Sequence, residues 1–477
     1  YNGIIDPESV QGIWDNYRQK DINDELLLAY GYGDGGGGPT KEMLEMGRKM
    51  QELPGVPELK FGKAEPYFDR LENRVKDNSD LLVWDGELYL EYHRGTYTSQ
   101  AEVKKNNRYS EILYHNLELF SSFASSIDGN YTYPQTMINE GWKTILRNQF
   151  HDIIPGSSIH EVYEDSAEEF AQVIEAGNRM LDKSLEDIAN KVSVAGERLV
   201  VFNSLSWSRD GLIILDWQEE FMNKSFVSLD GERLSTKIIN GKNKQKQILI
   251  TVPEIPALAY KVFKIVDKDT VQTNDVQSSD TKLLIRGNVI ESLYYVIKLN
   301  ENGQIISLYD KEAEREVLPD GMKANVFQVF EDKPMNYDAW DIDIYYQEKE
   351  YVVEKLINRE IVEESSERII IRFKWEFLDS IIEQDMIVYA DKRRIDFKTE
   401  VDWQQQQLLM KVAFPIDVRT TKANYEIQFG NVERPTHWNT SWDYAKFETA
   451  AQKWADLSER DYGVSLLNNC KYGYDIK

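Results

Sequence analysis

Cysteine is nearly missing from this sequence. Cys470 is the only one in 477 residues, so no intrachain disulfide can form and nothing points to an oxidising compartment. Positive charge is also short. Lys and Arg total 56 against 82 Asp and Glu, a formal net charge of −26. Such a surface favours solubility and repels nucleic acid and anionic membranes, which argues against both as partners. No run of about 18 apolar residues occurs and no secretory leader is visible, so no membrane span is expected. These absences together give a cytoplasmic expectation. Three Asn-x-Ser/Thr patterns, at Asn130, Asn223 and Asn439, are what a chain this long yields by chance.

Aromatic residues, by contrast, are plentiful at 12%, with 11 Trp and 27 Tyr. Flat rings suit stacking on pyranose faces, and they suit large β-rich cores equally well. The length calls for about two to four domains. The chain opens at Tyr1 without Met and closes just after the strand-like run Val464 to Leu467. It is therefore expected to be part of a longer polypeptide.

Three regions follow one another. Residues 1–98 alternate strand and helix patterns: Leu26-Leu27-Leu28-Ala29-Tyr30 and Leu81-Leu82-Val83-Trp84 read as strands. Met43, Met46, Met50 and Leu53 give a helix its apolar face, with Pro39 in its first turn, and a second helix runs from Ala64 to about Lys76. This is the pattern of the C-terminal part of an α/β domain with a parallel sheet. Residues 99–195 are helical almost throughout. Leu113, Leu117 and Phe120, then Ile138, Trp142 and Ile145, then Ile159 to Val192 mark three helices, a three-helix bundle. Residues 196–477 switch to β-branched runs such as Val200-Val201-Phe202, Ile248 to Val252 and Ile369-Ile370-Ile371. The pairs Asp210-Gly211, Asp230-Gly231, Asn240-Gly241, Asn302-Gly303 and Asp320-Gly321 read as turns between them. A polar stretch over about 270–281 reads as a loop. The expected class is multidomain α+β, ending in one large antiparallel sandwich or two smaller ones.

Two short segments carry chemistry. Gly31-Tyr-Gly33-Asp-Gly-Gly36 satisfies G-x-G-x-x-G between a strand pattern and a helix pattern, so a dinucleotide loop is one reading. Asp34 would then face a pyrophosphate, which Coulomb repulsion disfavours. A second reading strips side chains from the loop so that Asp34 stands at the mouth of a pocket, where α/β domains place catalytic groups. A plain flexible loop is the third. The other segment, Asn148-Gln149-Phe150-His151-Asp152-Ile153-Ile154-Pro155-Gly156-Ser157-Ser158, sets an imidazole and a carboxylate side by side at a helix end.

Several blocks together resemble glycoside hydrolase family 38, the retaining α-mannosidases, and its cytosolic-type branch in particular. They are Gly31 to Thr40, Gly86 to Ser99, Asn148 to Ser158, Asp332 to Asp343 and Glu433 to Asp443. The resemblance runs along nearly the whole chain in order. It implies an N-terminal α/β barrel, a helical middle domain and large C-terminal β domains. It also implies hydrolysis of terminal α-linked mannose from oligosaccharides, one active-site zinc and a homo-oligomer. By the same resemblance His151 is the zinc ligand, Asp34 the general acid/base, and Asp152 a substrate-hydroxyl partner. Arg94, Tyr97, Asp338 and Trp340 are implied as pocket residues. The family's His-x-Asp zinc motif is not found here: His93, His115, His151, His160 and His437 all lack an aspartate two residues on. The remaining ligands and the aspartate nucleophile are therefore expected outside this chain. Two other classes stay open: a carbohydrate-binding β-sandwich without catalysis, and a nucleotide-binding enzyme built on the glycine loop.

Overall fold

A computed structural model of the chain describes residues 2–241, 245–270 and 283–477. Packing divides it into two compact units, Tyr1–Leu88 and Tyr89–Lys477. The loop expected over about 270–281 lies, apart from Thr270, outside the described residues.

The first unit is held by three helices. Helix α1 (Pro7–Asn16) starts with Pro in its first turn, and the Asp6 carboxylate caps it by accepting from Ser9 N at 2.7 Å. Helix α2 (Lys41–Met50) is capped by Thr40, so Pro39 precedes the cap instead of sitting in the first turn. Only part of the expected apolar face is used: Met43 and Met50 are buried, and Met46 and Leu53 are exposed. Helix α3 (Ala64–Val75) buries no residue. It is tied down by Arg70 to Glu25 and by Arg74 to Asn23 and Asp24. A small core of Ile5, Val10 and Met50 closes the unit.

The two expected strands do not form. Among the described residues of this unit no strand is present, and Leu26–Tyr30 and Leu81–Trp84 join no ladder. A strand is a property of a pair, and among the described residues neither run is paired in a ladder. The exposure of Leu82 and Val83, 83% and 86%, is the mark of apolar side chains without a facing layer.

The second unit begins with three packed helices, α4 (Ala101–Ile127), α5 (Gln135–Asn148) and α6 (His160–Asn190). Leu113, Leu117, Ile138, Ile145, Val173 and Met180 share their core around Tyr114, whose hydroxyl donates to Val173 O at 3.2 Å. The β-branched runs then fold into antiparallel sheets. Two three-stranded sheets, one centred on Ala259–Asp267 and one on Lys246–Ile255, enclose Phe226, Ile250, Val252 and Phe263. A larger pair follows. A five-stranded meander over residues 284–316 and a four-stranded meander over 356–402 share one core with the strand Val326–Glu331. Period two is plain in Arg368–Phe377: Ile369, Ile371, Phe373 and Trp375 are buried, each contributing about 1.5–3 kcal/mol. A last four-stranded sheet runs from Lys422 to Leu467. No described helix is long and apolar enough to cross a membrane.

The glycine pairs divide. Gly231, Gly303 and Gly321 take left-handed turns, and Gly241 N donates to Gln245 O at 2.8 Å. Asp210-Gly211 instead lies inside the strand Arg209–Asp216, at a register shift. It is a bulge, not a turn, because one extra residue relieved by glycine satisfies the same sequence signal.

Gly303 has φ +80°, and a Cβ there would meet the Phe373 ring at 2.7 Å. Gly321, at φ +73°, faces open space. Gly321→Ala should therefore cost only the left-handed backbone term, about 1–2 kcal/mol. Gly303→Ala should add about 1–3 kcal/mol for overpacking. Denaturant unfolding followed by tryptophan fluorescence measures both, and equal losses would contradict the packing argument.

Candidate functional site

The glycine loop of the first unit is a closed structure. Tyr32 N donates to Gly38 O at 2.9 Å and Gly38 N to Tyr32 O at 2.8 Å, so residues 33–37 form a lobe. Gly33 N donates to the Asn2 side chain at 2.6 Å. Asp34, itself left-handed at φ +50°, stands exposed on this lobe. The loop does not run straight into a helix: Pro39 and Thr40 intervene, and the Thr40 hydroxyl already accepts Met43 N. A phosphate cradle needs those helix-start N–H groups free, so the dinucleotide reading loses its support.

In the second unit the end of α5 is braced from two sides. Asn148, 1% exposed, donates to Glu169 of α6 at 2.7 Å. Gln149 donates to Asn107 and Glu111 of α4, at 2.9 and 2.8 Å. The chain then turns, with Ile153 N and Ile154 N bonded back to Phe150 O. Tyr163 OH accepts from Ser158 N at 2.8 Å and pins the far side. This scaffold presents the His151 imidazole to solvent, 77% exposed, with Nε2 3.3 Å from Asp152 Oδ2. Ser157 Oγ donates to the other Asp152 oxygen at 3.3 Å. Phe150 packs on the imidazole, ring centres 4.3 Å apart. An exposed imidazole beside a carboxylate suits a divalent cation or a polyhydroxylated ligand. Among the described residues no three His, Cys, Asp or Glu converge to hold a metal alone.

Two more of the quoted blocks meet this turn. Gly156, at φ +90°, lies so close to Ser99 that a Cβ would come within 2.6 Å of its Cβ and carbonyl oxygen. Ser99 Oγ donates to Ala339 O at 3.1 Å, and Gly95 N to Trp340 O at 2.9 Å. The His151 turn, the 95–99 loop and the 337–341 loop are thus one continuous contact. Within it Asp338 is exposed, Trp340 and Tyr97 are half-buried, and Tyr337 packs edge-on to Trp340.

Arg94 departs from the expectation for a pocket residue. It is 7% exposed, and its donors go to Glu91 O, Ala445 O and Tyr89 OH at 2.6, 2.6 and 3.2 Å. Its guanidinium lies 4.3 Å over the Phe447 ring and 3.7 Å from Asp341. These contacts make it a structural pin. A loop arginine in sequence gives no sign of whether its fork faces inward.

Sequence reasoning also missed the buried polar groups behind these loops. Lys104 and Arg108 of α4 are 4% and 2% exposed. Glu448, 3% exposed, accepts from Tyr346 OH at 2.6 Å and pairs with Lys411. Burial holds its carboxyl above the usual range, with Lys411 opposing. Asp332 is the odd one: its Oδ1 is buried with no hydrogen-bond partner. Burial, then the charges of Asp338, Glu448, Asp343 and Asp341, push its pKa up to about 6.

Comparison with known proteins finds three family domains along the chain. The N-terminal domain of glycosyl hydrolases family 38 matches residues 1–87, the α-mannosidase middle domain 91–188, and the family 38 C-terminal domain 290–477. The chain is 32% identical to alpha-mannosidase G of Dictyostelium discoideum, covering 99% of this chain and 45% of that protein. It is 31% identical to human alpha-mannosidase 2C1, over 97% of this chain and 42% of that protein. It thus spans less than half the length of these curated relatives. A solved alpha-mannosidase from Enterococcus faecalis superposes with a TM-score of 0.70 at 16% identity, over 91% of this chain and 56% of that one. That likeness concerns the fold.

The raised pKa of Asp332 makes a stability prediction. A carboxyl whose folded pKa exceeds its unfolded value stabilises fully at low pH, and the contribution is lost as pH rises through about 6. Asp332→Asn removes that penalty. At pH 7.5 the variant should be more stable than the parent by about 2 kcal/mol, after allowing for screening at this partly exposed group. Near pH 4 the two should coincide. Urea unfolding at both pH values checks it, and a variant weaker at pH 7.5 would show that the carboxylate is paired.

Proposed function

The chain belongs to glycosyl hydrolase family 38, and from that premise we propose that it is part of a zinc-dependent, retaining α-mannosidase releasing terminal α-linked mannose from oligosaccharides. The observation that carries this reading is the run of three family domains, in order, along blocks that also hold His151 and Asp34. Its single cysteine suits work in the cytoplasm.

Asp34 would act as the general acid/base. It would protonate the leaving glycosidic oxygen, then take a proton from the water that completes the reaction. Its place on a lobe stripped of neighbouring side chains leaves room for a glycosidic bond. Double displacement needs a second carboxylate roughly 5–5.5 Å from the first, which attacks the anomeric carbon. That aspartate would come from the part of the longer relatives that this chain does not span. His151, an exposed imidazole beside a carboxylate, fits a zinc ligand whose co-ligands lie in that same part. Bound zinc would hold and orient sugar hydroxyls. Asp152 would accept a substrate hydroxyl, and Trp340, Tyr97 and Asp338 would face the sugar from the adjoining loops. The barrel expected around Asp34 would be completed by strands pairing with Leu26–Tyr30 and Leu81–Trp84.

The deciding experiment sets zinc content beside hydrolysis of 4-nitrophenyl α-mannoside. Both are run on this 477-residue chain and on a version extended to the full length of its relatives. Zinc and activity are expected in the extended protein alone. There Asp34→Asn should lower kcat roughly 10²–10⁴-fold with zinc retained, and His151→Ala should lose the zinc. No hydrolysis in either protein would sink the mannosidase reading and favour a sugar-binding module, which needs neither residue.

A further inference from the structure

Lys104 is an expensive residue in its position. It is 4% exposed, and buried lysines are rare without a paired charge. Among the described residues no carboxylate pairs with it, and the charge nearest enough to matter is the repelling one of Lys471. It also sits in the first turns of α4, where the helix dipole disfavours a cation. A leucine or methionine would fill the space without those three costs. What lysine alone supplies is a set of N–H donors at the end of a long stem. Those donors go to Ser99 O and, at 2.8 Å, to Ile154 O.

These two carbonyls belong to the two segments that meet at the candidate site. Ile154 lies in the turn that presents His151 and Asp152. Ser99 closes the loop that carries Ala339 and Trp340. We propose that Lys104 is a positioning residue: it clamps the His151–Asp152 turn to the 95–99 loop and so fixes that pair relative to Asp338 and Trp340. The proposal rests on the reading of His151 and Asp152 as functional groups. Burial and Lys471 bring the Lys104 pKa down to about 7. Even the neutral amine keeps two N–H groups, one for each carbonyl, so the clamp holds on both sides of neutrality.

Hydrogen–deuterium exchange on the 477-residue chain tests the clamp directly. Lys104→Met keeps the apolar stem and removes the donors. Exchange should rise at least tenfold in peptides covering 95–99 and 150–158, with the cores of α4 and α6 unchanged. Lys104→Arg, which keeps donors, should recover part of that protection. Unchanged exchange in both segments would overturn the proposal. So would an equal rise throughout the three helices, since Lys104 would then be a general core support. In the extended protein Lys104→Met should lower the kcat for 4-nitrophenyl α-mannoside about tenfold, as misplacement of reacting groups does. If the extended parent itself shows no hydrolysis, the mannosidase reading fails while the exchange result still decides the clamp.

Discussion

Carbonyls outside any sheet ladder need a donor, and among the described residues of the second unit the buried side chains of Arg94, Lys104 and Arg108 give one to each of five. Arg94 serves Glu91 O and Ala445 O, Lys104 serves Ser99 O and Ile154 O, and Arg108 serves Gln452 O at 2.9 Å. An unpaired buried carbonyl costs about as much as a lost hydrogen bond. The loops around the His151 turn therefore depend on side chains reaching out of α4 and the 91–94 turn. Arg108 extends the same device to the end of the chain, with its guanidinium over the Tyr472 ring at 4.5 Å. Remove the donors and the loops have no sheet to fall back on.

That dependence explains what the sequence showed and what it hid. The β-branched runs were readable because period two is local: Ile369, Ile371 and Phe373 face one way whatever lies opposite. The three helices were readable for the same reason. The α5 end was readable because Pro155-Gly156 forces a stop within a few residues. Leu26–Tyr30 and Leu81–Trp84 were misread as strands because pairing is not local, and among the described residues neither run joins a ladder. Asp210-Gly211 was misread because a bulge and a turn share one dipeptide. Arg94 was taken for a pocket residue and Lys104 passed over, since nothing in a run of letters says which way a long cation points.

Acid crowding is the second organising feature. Asp338, Asp341 and Asp343 follow Asp332 within a dozen residues. Arg94, 3.7 Å from Asp341, offsets part of their repulsion. Burial and these mutual charges hold Asp341 as well as Asp332 above the usual carboxylate range. A fold selected only for stability would dilute such a loop with lysine or asparagine. Asp341 and Asp343 already accept from Ile342 N and Met335 N, at 2.9 and 2.8 Å, which leaves exposed Asp338 as the acceptor beside half-buried Trp340. An acceptor next to an aromatic ring suits a polyhydroxylated ligand, and the crowding of acids around it costs stability.

The division of labour between helix and loop then follows. His151 and Asp152 lie three and four residues beyond a helix end whose side-chain amides, Asn148 and Gln149, are bonded to both neighbouring helices. Positioning of that kind is what separates a site from a coincidence of side chains, because a displacement of about 1 Å can cost 10²-fold in rate. The 337–341 loop has no such helix beneath it. It takes its place from Gly95 and Ser99, and Ser99 takes its own from Lys104 and from the absence of a side chain at Gly156. Rigidity thus passes from the braced helix end to the acidic loop through backbone contacts. The residues that transmit it are two glycines, a serine and a buried lysine, none of them among the candidate site residues.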